Sequence, residues 1–540
     1  MASSWTRRAA GVAMGFLVML PKTQAVKPWQ DYTAHNRTPS SCPDYTDYSQ
    51  ESHEPYSHGP LALPYMRPNP GCRTFNSSAV EKVIDDVKSR MKNPDLSRLF
   101  ENTFPSTLDT TVKYFDPDVN LAFVITGFAP LYKVLPQDDN LKALVKAIIN
   151  TESRYIAQYP YCSSFQPPPE SGLAPSVNDY ATNVTINPPV NNQTVFECKY
   201  ELDSLAGFLK ICRSYYANTG DSSFINANWM AAMSQILTVL HDQSQSSWAS
   251  DWEFVSYYNF SGMPGSLSPA VSNGGNGEPK KANGLVGSSH RPSDDLCIFS
   301  MFSAMPELLL REEESSYALG FSANPSRPDF ITSDNAMMSV ELGHTADMLD
   351  KIGALQNMTS KLHEHEGVIR QAVWDHTRSQ DGIFAYETNG YGAQYFMDDA
   401  NVPSLVSLPY LGFVSRNNSA YVKTKEAMFS RANPYYAVGK NFSGIGGPHV
   451  NATYPWPMSQ ISGIFGTDND TEIQTRLSVI LDNTSGLGLI HESIHIYNSS
   501  DYTRPWFAWA NSYFAEMILD LAERKPGLIF KDNTPYMIGG

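Results

Sequence analysis

Apolar residues along this chain fall mostly at three- and four-residue spacing, and strict alternation is rare. In 79–91 they stand at Val80, Val83, Ile84, Val87 and Met91, which is one stripe of a helix. The same pattern predicts helices in 141–156, 202–216, 225–240, 337–352, 368–374 and 506–521. Residues 383–387 read as one arm of a small hairpin. Long connections rich in Gly, Pro and Asn, such as 166–189 and 264–283, separate the stripes and are places where binding residues collect. No repeat or linker interrupts the alternation, so the pattern predicts one large all-α domain. Many helices joined by long loops suit a closed helical toroid with a cleft on one face.

The flanks differ. Residues 26–70 are rich in Pro, Ser, Tyr and His without sustained periodicity and read as an extended N-terminal arm over the surface. The main domain then spans 71–530, with a C-terminal tail at 531–540. Before the arm, Arg7 and Arg8, the apolar run from Ala9 to Leu20 and Thr23-Gln24-Ala25 have the order of a secretory signal over 1–25. The run is too short to span a bilayer comfortably, with an uncleaved signal anchor as the alternative; no other segment reads as a span.

Composition narrows the function. With 41% hydrophobic and 17% charged residues, the chain can bury a large core. A net charge of -16 leaves no basic field for nucleic acid. Sequons at Asn36, Asn76, Asn183, Asn192, Asn259, Asn357, Asn417, Asn441, Asn451, Asn469, Asn483 and Asn498 fit a glycosylated surface and the secretory pathway, ending outside the cell, in its wall or in a vacuole. Cys42, Cys72, Cys162, Cys198, Cys212 and Cys297 would be oxidised there, and none has C-x-x-C spacing.

Candidate chemistry sits in two distant carboxylate motifs. The first is Arg291-Pro292-Ser293-Asp294-Asp295; the second is His491-Glu492-Ser493, followed by Thr503-Arg504-Pro505-Trp506. Glycosidic bonds are cut by two carboxyl groups on opposite sides of the anomeric carbon, and aromatic faces such as Trp506 hold the apolar side of a pyranose. A plainer reading of Asp294-Asp295 is a helix cap. Asp398-Asp399-Ala400-Asn401 divides the same way, between sugar-hydroxyl recognition and a cap before 404–411. Gly444 to His449, followed by Trp456, reads as a loop lining a cleft. His491-Glu492-Ser493-Ile494-His495 also spells H-E-x-x-H, which on a helix would bind zinc for peptide hydrolysis, with Glu492 as base. His363-Glu364-His365-Glu366 reads as a solvated helix face.

These motifs resemble the glycoside hydrolase family 125 exo-α-1,6-mannosidases. The resemblance rests on Arg291 to Asp295, Met397 to Phe413 (MDDANVPSLVSLPYLGF), Gly444 to His449 with Trp456-Pro457-Met458, His491 to Ser493, and Thr503 to Ser512. Arg67-Pro68 and Cys72-Arg73-Thr74-Phe75 extend it toward the N-terminus. It implies an (α/α)6 barrel and inverting removal of terminal α-1,6-linked mannose from mannose-containing oligosaccharides or glycoprotein glycans. It implies no cofactor, no metal and no obligate protein partner. The general acid falls in the Asp294-Asp295 pair, with Asp294 preferred, and the general base on Glu492. Arg291, Asp398, Asp399, Asn401, His449, Trp456, His491, Arg504 and Trp506 would shape the mannose site.

Two stretches depart from the family. After Gly127 a segment containing Trp-Leu-Arg-Asp is missing, and residues from about 299 to 333 resemble nothing in it. Both changes are abrupt, which suits a skipped coding piece and a retained intron. The alternative is a catalytically impaired mannan-binding relative.

Overall fold

The computed structural model describes residues 42–124, 128–176, 185–261, 275–292, 329–448 and 450–539. Its helices are α1 (Tyr45–Tyr48), α2 (Ser78–Arg90), α3 (Pro94–Thr103), α4 (Ser106–Thr110), α5 (Asp139–Gln158), α6 (Leu202–Thr219), α7 (Ala227–Gln243), α8 (Thr332–Ile352), α9 (Gln356–His376), α10 (Ser419–Met428), α11 (Pro457–Phe465), α12 (Asp470–Leu481), α13 (Ala508–Arg524) and α14 (Pro526–Ile529). A 3-10 stretch occupies Ala129–Gln137. Each predicted stripe lies within or over one of these helices. Residues Glu387–Thr388 do form a small antiparallel sheet, between Gln394–Tyr395 and Phe330–Ile331.

The helices form two concentric rings. The inner ring passes through 129–137, α6, α8, the turn-rich segment 404–413, α11 and α13, and it closes where α13 packs on 129–137. Around it stand α5, α7, α9, α10, α12 and the α2–α3 pair, with α12 meeting α3. Tyr410 lies among the inner members: its ring is 4.8 Å from that of Phe465 and 5.0 Å from that of Tyr513, and its hydroxyl accepts from Lys210 Nζ at 2.8 Å. One continuous apolar core fills the space between the rings. This is an (α/α)6 barrel.

Capping separates the two rings except at α9, whose N-cap is Leu355. Ser77, Asn93, Asp138, Asn226, Asn418 and Asn469 cap helices of the outer ring through their side chains, satisfying amides that would otherwise lack partners. The N-cap residues of the inner helices α6, α8, α11 and α13 are Glu201, Ile331, Trp456 and Phe507, and none accepts such a bond through its side chain. These inner starts share one end of the barrel. Ser333 Oγ donates to Pro403 O at 3.4 Å, Leu202 N to Ser288 Oγ at 3.0 Å, and the Trp456 and Phe507 rings meet edge to face at 5.5 Å.

The arm departs from the expected surface strand before residue 70. Leu63, Met66 and Arg67 are buried, and Arg67 pairs with Asp109 at 2.7 Å and with Glu81 at 2.5 Å. Apolar side chains and a guanidinium held by two carboxylates draw this segment inward. The signal region and most of the first half of the arm lie outside the described residues. Cys42–Cys72 and Cys162–Cys198 are disulfides. Cys212 corrects the expectation of full oxidation: it is a free thiol buried on α6. Cys297 lies outside the described residues. Among those described, no helix is long and apolar enough to cross a membrane.

Candidate active site

Glu492 stands at the inner-start end, just before the hairpin formed by Ile494–His495 and Asn498–Tyr502. The hairpin returns the chain so that Thr503 and Arg504 flank the carboxylate. Thr503 Oγ1 donates to Glu492 Oε2 at 2.6 Å, and Arg504 Nη1 lies 3.2 Å from Oε1. Glu492 is buried and Thr503 beside it is exposed, so this carboxylate lies just beneath the surface. His491 is fully buried, its ring stacked 4.0 Å from that of Tyr502, with Nδ1 donating to Pro505 O at 2.8 Å. Burial pushes the His491 imidazole down to about 4. A neutral ring carrying its proton on Nδ1 follows from the carbonyl it meets.

A second cluster forms around Arg291. Its Nε donates to Glu387 Oε1 at 2.5 Å, and its guanidinium faces the rings of Tyr386 at 5.6 Å and Tyr395 at 6.0 Å. Asn401 Nδ2 donates to Pro292 O at 2.9 Å, fixing the chain where it enters the Asp294-Asp295 motif. Asp399 accepts from Asn401 N at 3.1 Å, and its charge is felt by Arg291. The two clusters are joined by the loop between them. Ala400 N donates to Gly446 O, Trp456 N to Ile445 O and Ile494 N to Pro455 O. At Gly439 a Cβ would stand 2.2 Å from Ile496 O, so only glycine lets the 436–445 hairpin lie against the Glu492 hairpin.

Several expectations need correction. Both Asp398 oxygens accept backbone amides, from Leu405 at 2.8 Å and Val406 at 3.0 Å, and burial pushes this carboxyl up to about 8. It caps the 404–411 turn and has no oxygen turned to a sugar. Trp456 is 1% exposed and packs as core rather than as a platform. Trp506 is half-buried against Tyr45 of the arm, ring centroids 5.1 Å apart. The H-E-x-x-H segment is not helical: Ile494–His495 is a strand, so the two imidazoles do not share a helix face and the zinc peptidase reading falls. Asp294, Asp295 and His449 lie outside the described residues.

Glu201, Asp203, Asp334, Tyr395 and Tyr435 were missed. Asp203 and Asp334 lie in the first turns of α6 and α8. Burial raises Asp203 to about 7; burial, then the charges of Asp203 and Glu201, raise Asp334 well above the carboxylate range. Tyr395 is exposed and Tyr435 half-buried beside Arg291. The acids had a signal, a carboxylate at the start of an apolar stripe, but it reads equally as a cap, and the two tyrosines had none.

Comparison with known proteins agrees with this architecture. Residues 93–312 and 322–519 match the family described as metal-independent α-mannosidase (GH125). Only residues 313–321 fall in the break between them, so the family match covers most of the 299–333 stretch expected to resemble nothing in the family. The Schizosaccharomyces pombe meiotically up-regulated gene 157 protein is 41% identical over 515 residues, covering 91% of this chain and 95% of that protein. A Streptococcus pneumoniae metal-independent α-mannosidase, solved as a non-productive complex with α-1,6-mannobiose, superposes with a TM-score of 0.69 at 24% identity, over 83% of this chain and 98% of that one. This last likeness is one of fold. The chain belongs to glycoside hydrolase family 125, the metal-independent α-mannosidases.

Proposed function

We propose that this protein removes terminal α-1,6-linked mannose from mannose-rich glycans, with inversion at the anomeric carbon. The observation that carries the reading is the Glu492 carboxylate, held on one oxygen by Thr503 and on the other by Arg504 at the end of the barrel where the inner helices start. A carboxylate so fixed can orient a water and take its proton as that water attacks the anomeric carbon. The proton for the leaving oxygen would come from Asp294 or Asp295, which follow the anchored Arg291-Pro292 pair. Inversion requires the two carboxyl groups roughly 6.5–9.5 Å apart to admit the water. Arg291, Asp399, Asn401 and Arg504 supply the charged and polar groups of the pocket, with Tyr395 and Trp506 as aromatic walls.

Passage through the secretory pathway is part of the proposal. Among the described sequons, Asn76, Asn192, Asn357, Asn417, Asn441, Asn451, Asn469 and Asn498 are exposed. Asn483 is closed to modification, because its buried Nδ2 donates to Val479 O and Asn441 O. Hydrolysis of α-1,6-mannobiose followed by NMR tests the reaction: β-mannose should appear first. Release of α-mannose would overturn inversion. Binding without release would favour the mannan-binding alternative suggested by the missing stretch after Gly127.

A further inference from the structure

Residues 247–255 fold into a hairpin. Val255 N donates to Ser247 O at 2.8 Å, Trp248 bridges Phe254, and Ala249 N donates to Glu253 O at 2.9 Å. Trp252 occupies the tip, 81% exposed, with a left-handed φ of 70°. A tryptophan in that region holds a strained backbone and also exposes a large apolar ring to water. Trp248, 42% exposed, and Tyr257, 38% exposed, share the segment. Trp248 and Trp252 are the exposed tryptophans among the described residues.

The base of the hairpin borders a narrow polar recess. Ser247, Gln243, Tyr257, Asn276, Lys280 and Asp329 are among its lining groups. It has room for a hydroxyl or a water rather than for a sugar ring. Lys280 Nζ donates to Gln243 Oε1 at 2.7 Å and pairs with Asp329 at 3.4 Å. Asp329 is 94% buried, and its Oδ1 has no partner among the described residues. Gly277, with a φ of 77°, lets the backbone approach that oxygen; a Cβ there would stand 2.9 Å away.

We propose that the 247–257 segment and this recess form a second glycan-binding site, on the far side of Asp329 from the Arg291–Glu387 pair, for a neutral oligosaccharide. A pyranose would stack on Trp252 while a hydroxyl farther along the chain reached Asp329 and Gln243. The tip lies about three strand residues, roughly 10 Å, from the recess, so the ligand is an oligosaccharide and not a single sugar. Asp251 and Glu253 flank Trp252, and Asp242 lines the recess, which disfavours an anionic lipid surface or nucleic acid. Amides, hydroxyls and one neutralised ion pair match hydroxyl groups. The choice of a mannoside as ligand rests on the mannosidase reading; the location of the site does not.

The test uses acrylamide quenching of tryptophan fluorescence in the full chain carrying Glu492→Gln, titrated with α-1,6-linked mannohexaose. The oligosaccharide should protect the exposed tryptophans. Trp252→Gly in the same background should weaken that protection about 3- to 10-fold, the range of one aromatic stacking contact. Glycine also relieves the left-handed strain, so the melting temperature should hold or rise while binding falls, a split that a merely structural tryptophan would not give. Absence of protection, or protection unchanged in Trp252→Gly, overturns the proposal. Mannose release by the unsubstituted chain, measured separately on mannobiose, reports the cleft alone, so failure of either reading is seen independently.

Discussion

Glu492 has two oxygens in unlike surroundings: one accepts a hydroxyl hydrogen from Thr503, the other faces the Arg504 guanidinium. Glu492→Gln keeps the shape and removes the base. Turnover of mannobiose should fall about 10²- to 10⁴-fold while the melting temperature and mannoside binding change little; near-normal kcat would sink the assignment. His491 makes a different prediction. Its ordinary value near 6.5 drops to about 4 in the folded chain, so the unfolded chain binds the proton more tightly. Its contribution to stability is therefore full above about pH 6.5 and is lost as pH falls toward 4. His491→Phe, which keeps a ring against Tyr502, should flatten that acid limb in melting curves recorded from pH 4 to 7. An unchanged slope would place the titration elsewhere. At this scale the sequence was a mixed guide. Glu492 and Arg504 were legible as a pair because a short hairpin joins them. Asp398 and Asp399 stand side by side in sequence, yet only the fold shows that one caps a turn and the other faces Arg291.

Elements explain why acids at helix starts were hard to interpret. The polar caps of the outer helices follow the ordinary rule, with Ser, Asn or Asp bonding the first free amides. The inner helices break it, and their first turns carry Asp203 and Asp334 at the positive end of the helix dipole instead. Sequence alone cannot tell a carboxylate that caps its own helix from one placed there for a ligand. The H-E-x-x-H spacing stands in a sequence that argues against a helix, with β-branched Ile494 and Ile496 and the Asn498-Ser499-Ser500 stop, and Ile494 begins a short strand there. The arm was read by composition and so was placed too far outside. The Cys42–Cys72 link holds α1 against Trp506, next to the residues that position Glu492. Cys72→Ser should lower stability by about 3–4 kcal/mol, as expected for releasing a loop spanning 30 residues. Urea unfolding monitored by fluorescence would show it, and a change under 1 kcal/mol would mean that the arm is held by Arg67 and Leu63 alone.

Across the whole molecule, the longer helices were legible, whereas α3, α10, α11 and α12 were not read from the pattern and ring closure could not be. A stripe announces that a face is buried without naming its partner, and 404–413 takes an inner position with turns rather than a helix. The join between chain ends is equally invisible in sequence. Lys92 N donates to Ile529 O at 2.8 Å, Lys531 N to Arg90 O at 2.9 Å, and the Arg90 guanidinium lies 4.3 Å from the centre of the Phe530 ring. Ile529 and Phe530 are buried at this seam. Removing residues 526–539 should cost about 3–6 kcal/mol from these two side chains, seen as a lower urea midpoint. A midpoint within error of the full chain would show that the seam adds nothing.

The same seam sets a clock on biosynthesis. Residues 90–92 leave the ribosome long before their partners at 529–531, which lie more than 400 positions later in the sequence. At 5–20 residues per second, roughly 20–90 s pass between them. Throughout that interval the nascent protein is an unfinished hoop, its first helices waiting with bare apolar flanks, and anything that stalls translation before residue 529 leaves a hoop that cannot shut.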